Sequence, residues 1–161
     1  KELIIMAVKI DNLDLKILSI ISKDARVPLS DVAEICKVSR AVVHQRVGKL
    51  IEKKAILGSG YKVDPKLIGY STCTYVGINL ERGSMYNDVV KCLEEIPEIV
   101  ECHYTTGNYT MLIKLYAYDN SHLMALLNNH IQQIPGVIST ETLISLEQSI
   151  GRTLPIVLNK D

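Results

Sequence analysis

Arg40, Ala41, His44, Gln45, Arg46 and Lys49 are spaced so that a helix turns them outward together, while Val42, Val43, Val47, Leu50 and Ile51 face in. A guanidinium pairs with a guanine edge, the Gln amide with adenine, and the small Ala41 fits against a thymine methyl. The face therefore has the chemistry to read bases in a major groove. Lys37, Lys53 and Lys54 flank it where amines meet phosphates, and Ser39 stands where a helix takes its N-cap. Arg46 has a second possible use, as a brace against Asp or Glu of the same module. His44 is open between a solvent residue, a phosphate ligand and a base reader.

A second group with binding chemistry is the loop His103-Tyr104-Thr105-Thr106-Gly107-Asn108-Tyr109-Thr110. Gly107 permits close backbone approach, and the exposed amides and hydroxyls suit a small polar zwitterion. Ser139-Thr140-Glu141-Thr142 adds hydroxyls and a carboxylate from the last strand. The plainer alternative is a hairpin turn beside a polar strand. No catalytic residue is expected, since no Ser-His-Asp set, paired carboxylates or phosphate-cradling glycine loop occurs. No metal is expected either. Cys36, Cys73, Cys92 and Cys102 have no CxxC spacing, and the adjacent Cys102 and His103 point to opposite faces of a strand. The cysteines read as reduced, half-buried residues of a cytoplasmic protein that needs no cofactor.

Three helices carry the first group. One runs from about Leu13 to Lys23 behind a cap at Asp11 or Asn12, with Leu15, Ile17, Leu18 and Ile21 as its stripe. Pro28 ends that pattern. A second helix follows Ser30 to about Cys36, burying Val32, Ala33 and Ile35, and a third follows Ser39. Only Lys37 and Val38 separate the second helix from the cap of the third, the tight join of a helix-turn-helix. Residues 55–64, apolar with two glycines, read as a short β-ribbon or extended connector.

From Tyr70 the period becomes two. Tyr70, Thr72, Thr74, Val76, Ile78 and Leu80 share a strand face, and a helix from Ser84 carries Met85, Val89, Cys92, Leu93 and Ile96. Strands follow at about Val100–Thr106 and Tyr109–Tyr118. A helix capped near Asp119 then buries Leu123, Met124, Leu127, Ile131 and Ile134, and a last strand runs from Ile138 to Glu147. The junctions Ile96-Pro97-Glu98-Ile99 and Ile134-Pro135-Gly136-Val137 lie 38 residues apart, each between helix and strand. The order is βαβ twice, a ferredoxin-like arrangement with two helices on one face of a four-stranded antiparallel sheet. Its bare face asks for a cover, and a second copy of the chain is the expected one.

The fold class is thus α+β. Residues 9–55 form a three-helix, winged-helix-like helix-turn-helix domain and 56–68 a β-ribbon or hinge. Residues 69–150 form the ferredoxin-like ligand-binding and oligomerisation domain, and 151–161 a tail. The 161 residues hold 18 basic and 18 acidic side chains, but unevenly. Residues 1–64 carry 12 Lys/Arg against 8 Asp/Glu and residues 65–161 carry 6 against 10, so the two parts differ as +4 and −4. A basic head on an acidic body suggests a polyanion held by the head alone. The apolar run Leu3–Val8 is too short for a membrane span or a signal-peptide core. Lys1–Ile5, ahead of Met6, stand outside the functional reading as a short extra strand or a cloning remnant.

From Ile10 to Leu154 the chain resembles the Lrp/AsnC (feast/famine) transcription regulators. Carrying the likeness are Ile10-Asp11-Asn12-Leu13-Asp14, the helix-turn-helix around Val38-Ser39 and Arg46-Val47, and Leu67-Ile68-Gly69-Tyr70. So do Tyr104-Thr105-Thr106-Gly107-Asn108-Tyr109 and Ser139-Thr140-Glu141-Thr142-Leu143-Ile144. The Thr-Thr-Gly-Xaa-Tyr and Ser-Thr-Glu-Thr-Leu-Ile segments are most similar to the asparagine-responsive AsnC branch. The resemblance implies double-stranded DNA as partner, dimers and octamers of four dimers, and amino-acid effectors bound where dimers meet. It places the effector on Tyr104, Thr106, Gly107, Asn108 and Tyr109, with Thr140 and Thr142, and the carboxylate of Glu141 between those two is a further candidate. Many members of the family have Asp where this chain has Thr110, so a carboxylate for the effector's ammonium is missing there, and Glu141 or backbone carbonyls would have to replace it. Two rivals share the scaffold: a siroheme-decarboxylase-like enzyme, for whose multi-carboxylate substrate an acidic body is a poor host, and a non-specific DNA-organising protein.

Overall fold

The computed structural model describes residues 10–158. The optional strand at Lys1–Ile5 and the last residues of the tail lie outside them. The chain divides into two compact units between Lys62 and Val63, and the segment from Gly151 groups with the first.

The first unit holds helices α1 (Asn12–Ile21), α2 (Leu29–Cys36) and α3 (Arg40–Glu52). Asp11 caps α1 in a capping box: its carboxylate accepts from the Asp14 amide at 2.9 Å, and the Asp14 carboxylate accepts from the Asp11 amide at 3.3 Å. Helix α2 begins directly after Pro28, whose carbonyl accepts from Asp31 and Val32. Ser30 is therefore not its cap but lies in its first turn, bonded to Asp31 at 3.0 Å. With α2 starting two residues earlier than the Ser30 cap implied, Val32, Ala33 and Cys36 pack inward and Ile35 turns out, 51% exposed. Ile51, expected inside, is also exposed, one residue before α3 ends.

The turn between α2 and α3 closes in the left-handed manner typical of helix C-termini. Lys37 has φ +57°, and the Val38 amide donates to the Ala33 carbonyl at 3.0 Å. Ile17, Val32 and Val43 are fully buried at the centre of the three helices. After Lys53 no strand forms through Lys62, so the extended connector is realised and the β-ribbon is not.

The second unit is a four-stranded antiparallel sheet of order β2-β3-β1-β4. The strands are β1 (Thr72–Leu80), β2 (Ile99–Tyr104), β3 (Met111–Ala117) and β4 (Val137–Ser145). Helix α4 (Tyr86–Glu94) and helix α5 (Asn120–Ala125) follow β1 and β3. The two junctions of the repeat fold alike: Ile99 donates to the Ile96 carbonyl at 3.1 Å, and Val137 to the Ile134 carbonyl at 3.1 Å. Val76, Ile78, Met111, Ile113 and Leu115 form the floor of the core, and Val89, Leu93, Leu123, Leu126 and Ile131 its helical roof.

Two roof positions differ from the helical pattern. Cys92 is exposed, because Val89 and Leu93 already fill the α4 stripe. Met124 is 60% exposed and Leu126 buried in its place, since α5 runs on through a π turn, Leu126–His130. The wider π turn sets a spacing of five positions from buried Leu126 to buried Ile131 instead of the four of an α-helix.

Candidate DNA-reading face and effector loop

Helix α3 presents Arg40, Ala41, His44 and Gln45 on one exposed face of its N-terminal half, lining a shallow concavity. Among the described residues none of them makes an ion pair, so their donors and acceptors face solvent. Lys49 is exposed further along the same helix and Lys53 at its C-cap, and Lys37 is exposed in the turn before it. Ser39 is engaged as the cap of α3, its hydroxyl accepting from the Val42 amide at 3.3 Å.

Arg46 is drawn elsewhere. Its Nη1 donates to Asp11 Oδ2 at 2.5 Å and to Asp14 Oδ1 at 3.2 Å, clamping α3 to the capping box of α1. Of the two uses left open for Arg46, the brace is the one it occupies here. The hydrogen bond from the Asp14 amide, followed by the one from Arg46, holds the Asp11 carboxyl below its ordinary pKa, and the Asp11 bond raises that of Arg46.

Asp14 has a side chain only 9% exposed, so removing its cation is costly. Arg46→Ala is expected to destabilise the head by on the order of 1–3 kcal/mol, seen as faster hydrogen exchange in α1 and α3. The Asp11 contribution has a definite pH sense. Its folded pKa lies below the unfolded one, so the unfolded chain takes up the proton first. The stabilisation is complete above the unfolded value and is lost as pH falls through the folded value. Asp11→Asn should remove this acid-side loss from the head, and an unchanged acid melting profile would contradict the assignment.

The loop between β2 and β3 contains Thr106, Gly107 and Asn108, with Gly107 at φ +108°. Thr105 closes it, donating from N to the Thr110 carbonyl at 3.0 Å and from Oγ1 to the Tyr109 carbonyl at 2.8 Å. Thr110 ties the loop to β1: its amide donates to the Ile78 carbonyl at 3.0 Å, and its hydroxyl accepts from the Leu80 amide at 3.3 Å. The residue that stands in place of a carboxylate is thus used for backbone registration.

The other candidate residues do not all meet within one chain. β4 is an edge strand, and its successive side chains alternate between faces. Thr140 and Thr142 pair with Ile78 and Val76 on the helical face, and Thr140 accepts from Gln132 at 2.8 Å. Glu141 pairs with Gly77 on the helix-free face, where it accepts from the Tyr109 hydroxyl at 2.5 Å. That bond to Glu141 raises the Tyr109 pKa. Tyr104 ends β2 on the helical side, edge-on to Tyr86 with ring centroids 4.7 Å apart. Gly77, Thr110 and Gln132 are contacts that reasoning on the sequence missed. A glycine inside a strand, a mark of close approach by another group, was the available signal for Gly77.

The helix-free face carries Tyr75, Leu112, Tyr116 and Leu143. Lys114 lies among them, 5.8 Å from the ring centroids of both Tyr75 and Tyr116 and 3.2 Å from Glu101. Burial works against the Lys114 charge, but the bond to Glu101 together with the electrostatic influence of Tyr116, Glu101 and Tyr75 outweighs it, and its pKa rises. A cleft of about 590 Å³ opens on this face, bordered by Lys66, Tyr70, Cys73 and Tyr116.

Comparison with known proteins assigns both halves. Residues 10–56 match the winged helix-turn-helix DNA-binding family, and residues 73–155 match the Lrp/AsnC ligand-binding domain. The chain belongs to the Lrp/AsnC family. It is 39% identical over 145 residues to the regulatory protein AsnC of Haemophilus influenzae, covering 90% of this chain and 97% of that protein. It is 34% identical over 152 residues to the HTH-type transcriptional regulator FL11 of Pyrococcus horikoshii, covering 94% and 99%. The structure of Escherichia coli AsnC, 37% identical, superposes with a TM-score of 0.85 over 91% of this chain and 98% of that one.

As a member of the Lrp/AsnC family, the chain joins a DNA-binding helix-turn-helix to a ligand-binding domain, the two-module build of a transcription regulator. The fold also matches that of the Mycobacterium tuberculosis feast or famine regulatory protein complexed with L-methionine, at 23% identity and a TM-score of 0.85. Among the described residues no helix is long and apolar enough to cross a membrane.

Proposed function

We propose that this Lrp/AsnC protein is an amino-acid-responsive regulator acting in the cytoplasm. In this reading it is a homodimer joined through the helix-free sheet face, assembling further into octamers of four dimers. Arg40, Ala41, His44 and Gln45 read base edges, while Lys37, Lys49 and Lys53 hold phosphates. The effector lies at the loop of Thr106, Gly107, Asn108 and Tyr109 and reaches Tyr104, Thr140, Glu141 and Thr142 where copies meet. The placement of Thr140 and Glu141 on opposite faces of an edge strand supports a shared site, since a ligand touching both has to span the strand's open edge.

The observation that carries the reading is the contrast on α3: Arg40, His44 and Gln45 stand unpaired in solvent while Arg46, next to Gln45, is consumed internally. Asparagine is the first effector to test, by likeness to the AsnC branch, with L-methionine as the second because a structural neighbour holds it. Fluorescence anisotropy on DNA from the region upstream of its own gene, against scrambled DNA, tests both modules. Affinity should favour the upstream DNA and fall with salt at a log–log slope of about −0.9 per phosphate contacted. An amino acid should shift that affinity or the assembly state read by mass photometry. Equal binding to both DNAs at every salt would reject sequence reading, and no response to any amino acid would reject the effector.

A further inference from the structure

Strand β1 has a glycine at its centre. A Cβ built on Gly77 would lie 2.5 Å from the Cγ and Cδ1 of Tyr109, so the aromatic ring occupies the space that a strand side chain would take. From that seat the phenol reaches across to Glu141, the residue opposite Gly77 in the β1–β4 register. Among the described residues no Lys, Arg or His pairs with Glu141, so a neutral hydroxyl is what its carboxylate holds. On the other side of Tyr109, Thr105 and Thr110 secure the loop to itself and to β1. Tyr109 is thus the side chain that closes the loop onto β4.

We propose that Tyr109, seated on Gly77, is a displaceable latch on Glu141: the ammonium group of an α-amino-acid effector takes the carboxylate, the phenol lets go, and residues 105–110 are freed from β4. The proposal rests on the effector reading above and adds what the ligand must displace. Both contacts have an ionised acceptor, but the ammonium adds a full positive charge that the neutral phenol lacks, so exchange runs toward the ligand. The phenol's competition lowers apparent affinity, in the manner of any closed state that has to open first. Tyr109 and Gly77 then set how tightly, and for which head group, the site binds.

Calorimetry on the full chain with each of the twenty L-amino acids finds the best ligand, which is then titrated into variants. Tyr109→Phe keeps the ring on its seat but removes the competing donor, and should tighten binding by about 2- to 10-fold, the value of one hydrogen bond. Glu141→Gln should weaken it at least about tenfold, as loss of a charged partner does. Gly77→Ala unseats the ring and should follow Tyr109→Phe; if it fails to fold, the other two variants decide. The same ligand without its amino group should bind wild type, Tyr109→Phe and Glu141→Gln alike, a pattern that a merely structural role for these residues would not produce. A ligand that binds wild type but is unmoved or weakened by Tyr109→Phe overturns the latch alone. If no amino acid binds wild type, the effector reading fails and the latch falls with it.

Discussion

Gln45→Ala and Arg40→Ala should each weaken binding to the preferred DNA site by about 5- to 150-fold, the worth of one lost bidentate base contact of about 1–3 kcal/mol. Both should leave affinity for scrambled DNA nearly unchanged. Both side chains are exposed in the first half of α3, make no ion pair among the described residues, and border the same shallow concavity. Lys53→Ala should act differently. As a phosphate contact at the end of α3 it should weaken all DNAs alike and lower the salt slope by about one. Anisotropy titrations at several salt concentrations separate the two patterns. If Arg40→Ala lost affinity uniformly across sequences, Arg40 would belong with the phosphate contacts and the reading face would shrink to Gln45 and its neighbours.

Ile17→Ala should destabilise the head by about 2–5 kcal/mol, because Ile17 is fully buried between α1, α2 and α3 and its truncation leaves a cavity. Ile35→Ala should change stability by no more than about 0.5 kcal/mol, since Ile35 is 51% exposed. Hydrogen exchange followed by mass spectrometry reports the head separately from the sheet module, which avoids treating two units as one transition. Protection of the α3 amides should fall roughly 30-fold or more for Ile17→Ala and stay level for Ile35→Ala. Comparable losses would mean that Ile35 is covered in solution by a surface outside this chain's own head.

The two isoleucines show where sequence periodicity stops being informative. On a helix of eight residues a shift of one position along the inward stripe turns the buried face by about 100°. The expected cap at Ser30 led to Ile35 inside; the actual start after Pro28 brings Cys36 inside instead. The same limit applies to α5, where Leu123, Leu127 and Ile131 fit an ideal α pattern and the π turn changes which residues are covered. Longer patterns were safer. The alternation along β1 was legible because it repeats over several residues, and the Ile-Pro junctions because the same pattern occurs twice, 38 residues apart.

The site divides in the same way. The residue types along α3 are enough to read out a base-reading face, since an exposed helical face depends only on local spacing. What becomes of each side chain there is decided from afar: Arg46 is claimed by Asp11, 35 residues away, and Asp14, 32 away. In the loop, Gly107 and its hydroxyl neighbours were recognisable, whereas the contact of Tyr109 with Gly77 and Glu141 was not. Glu141 lies 32 residues from Tyr109 in the chain, and the two meet only through the pairing of three strands.

By itself, then, the sequence determined the order of the main helices and strands, the cap at Ser39, the helix starts near Asp11–Asn12 and Asp119, the internal βαβ repeat and the charge split between two modules. These follow from interactions between residues within a turn or two of one another. Only the tertiary structure decided which polar groups remain free. Sheet register placed Thr140 and Glu141 on opposite faces, seated Tyr109 on Gly77 and turned Thr110 into a backbone tie, while helix packing turned Arg46 inward and Ile35 out. Such outcomes depend on distances between segments far apart in the chain, which no local pattern of residue types specifies.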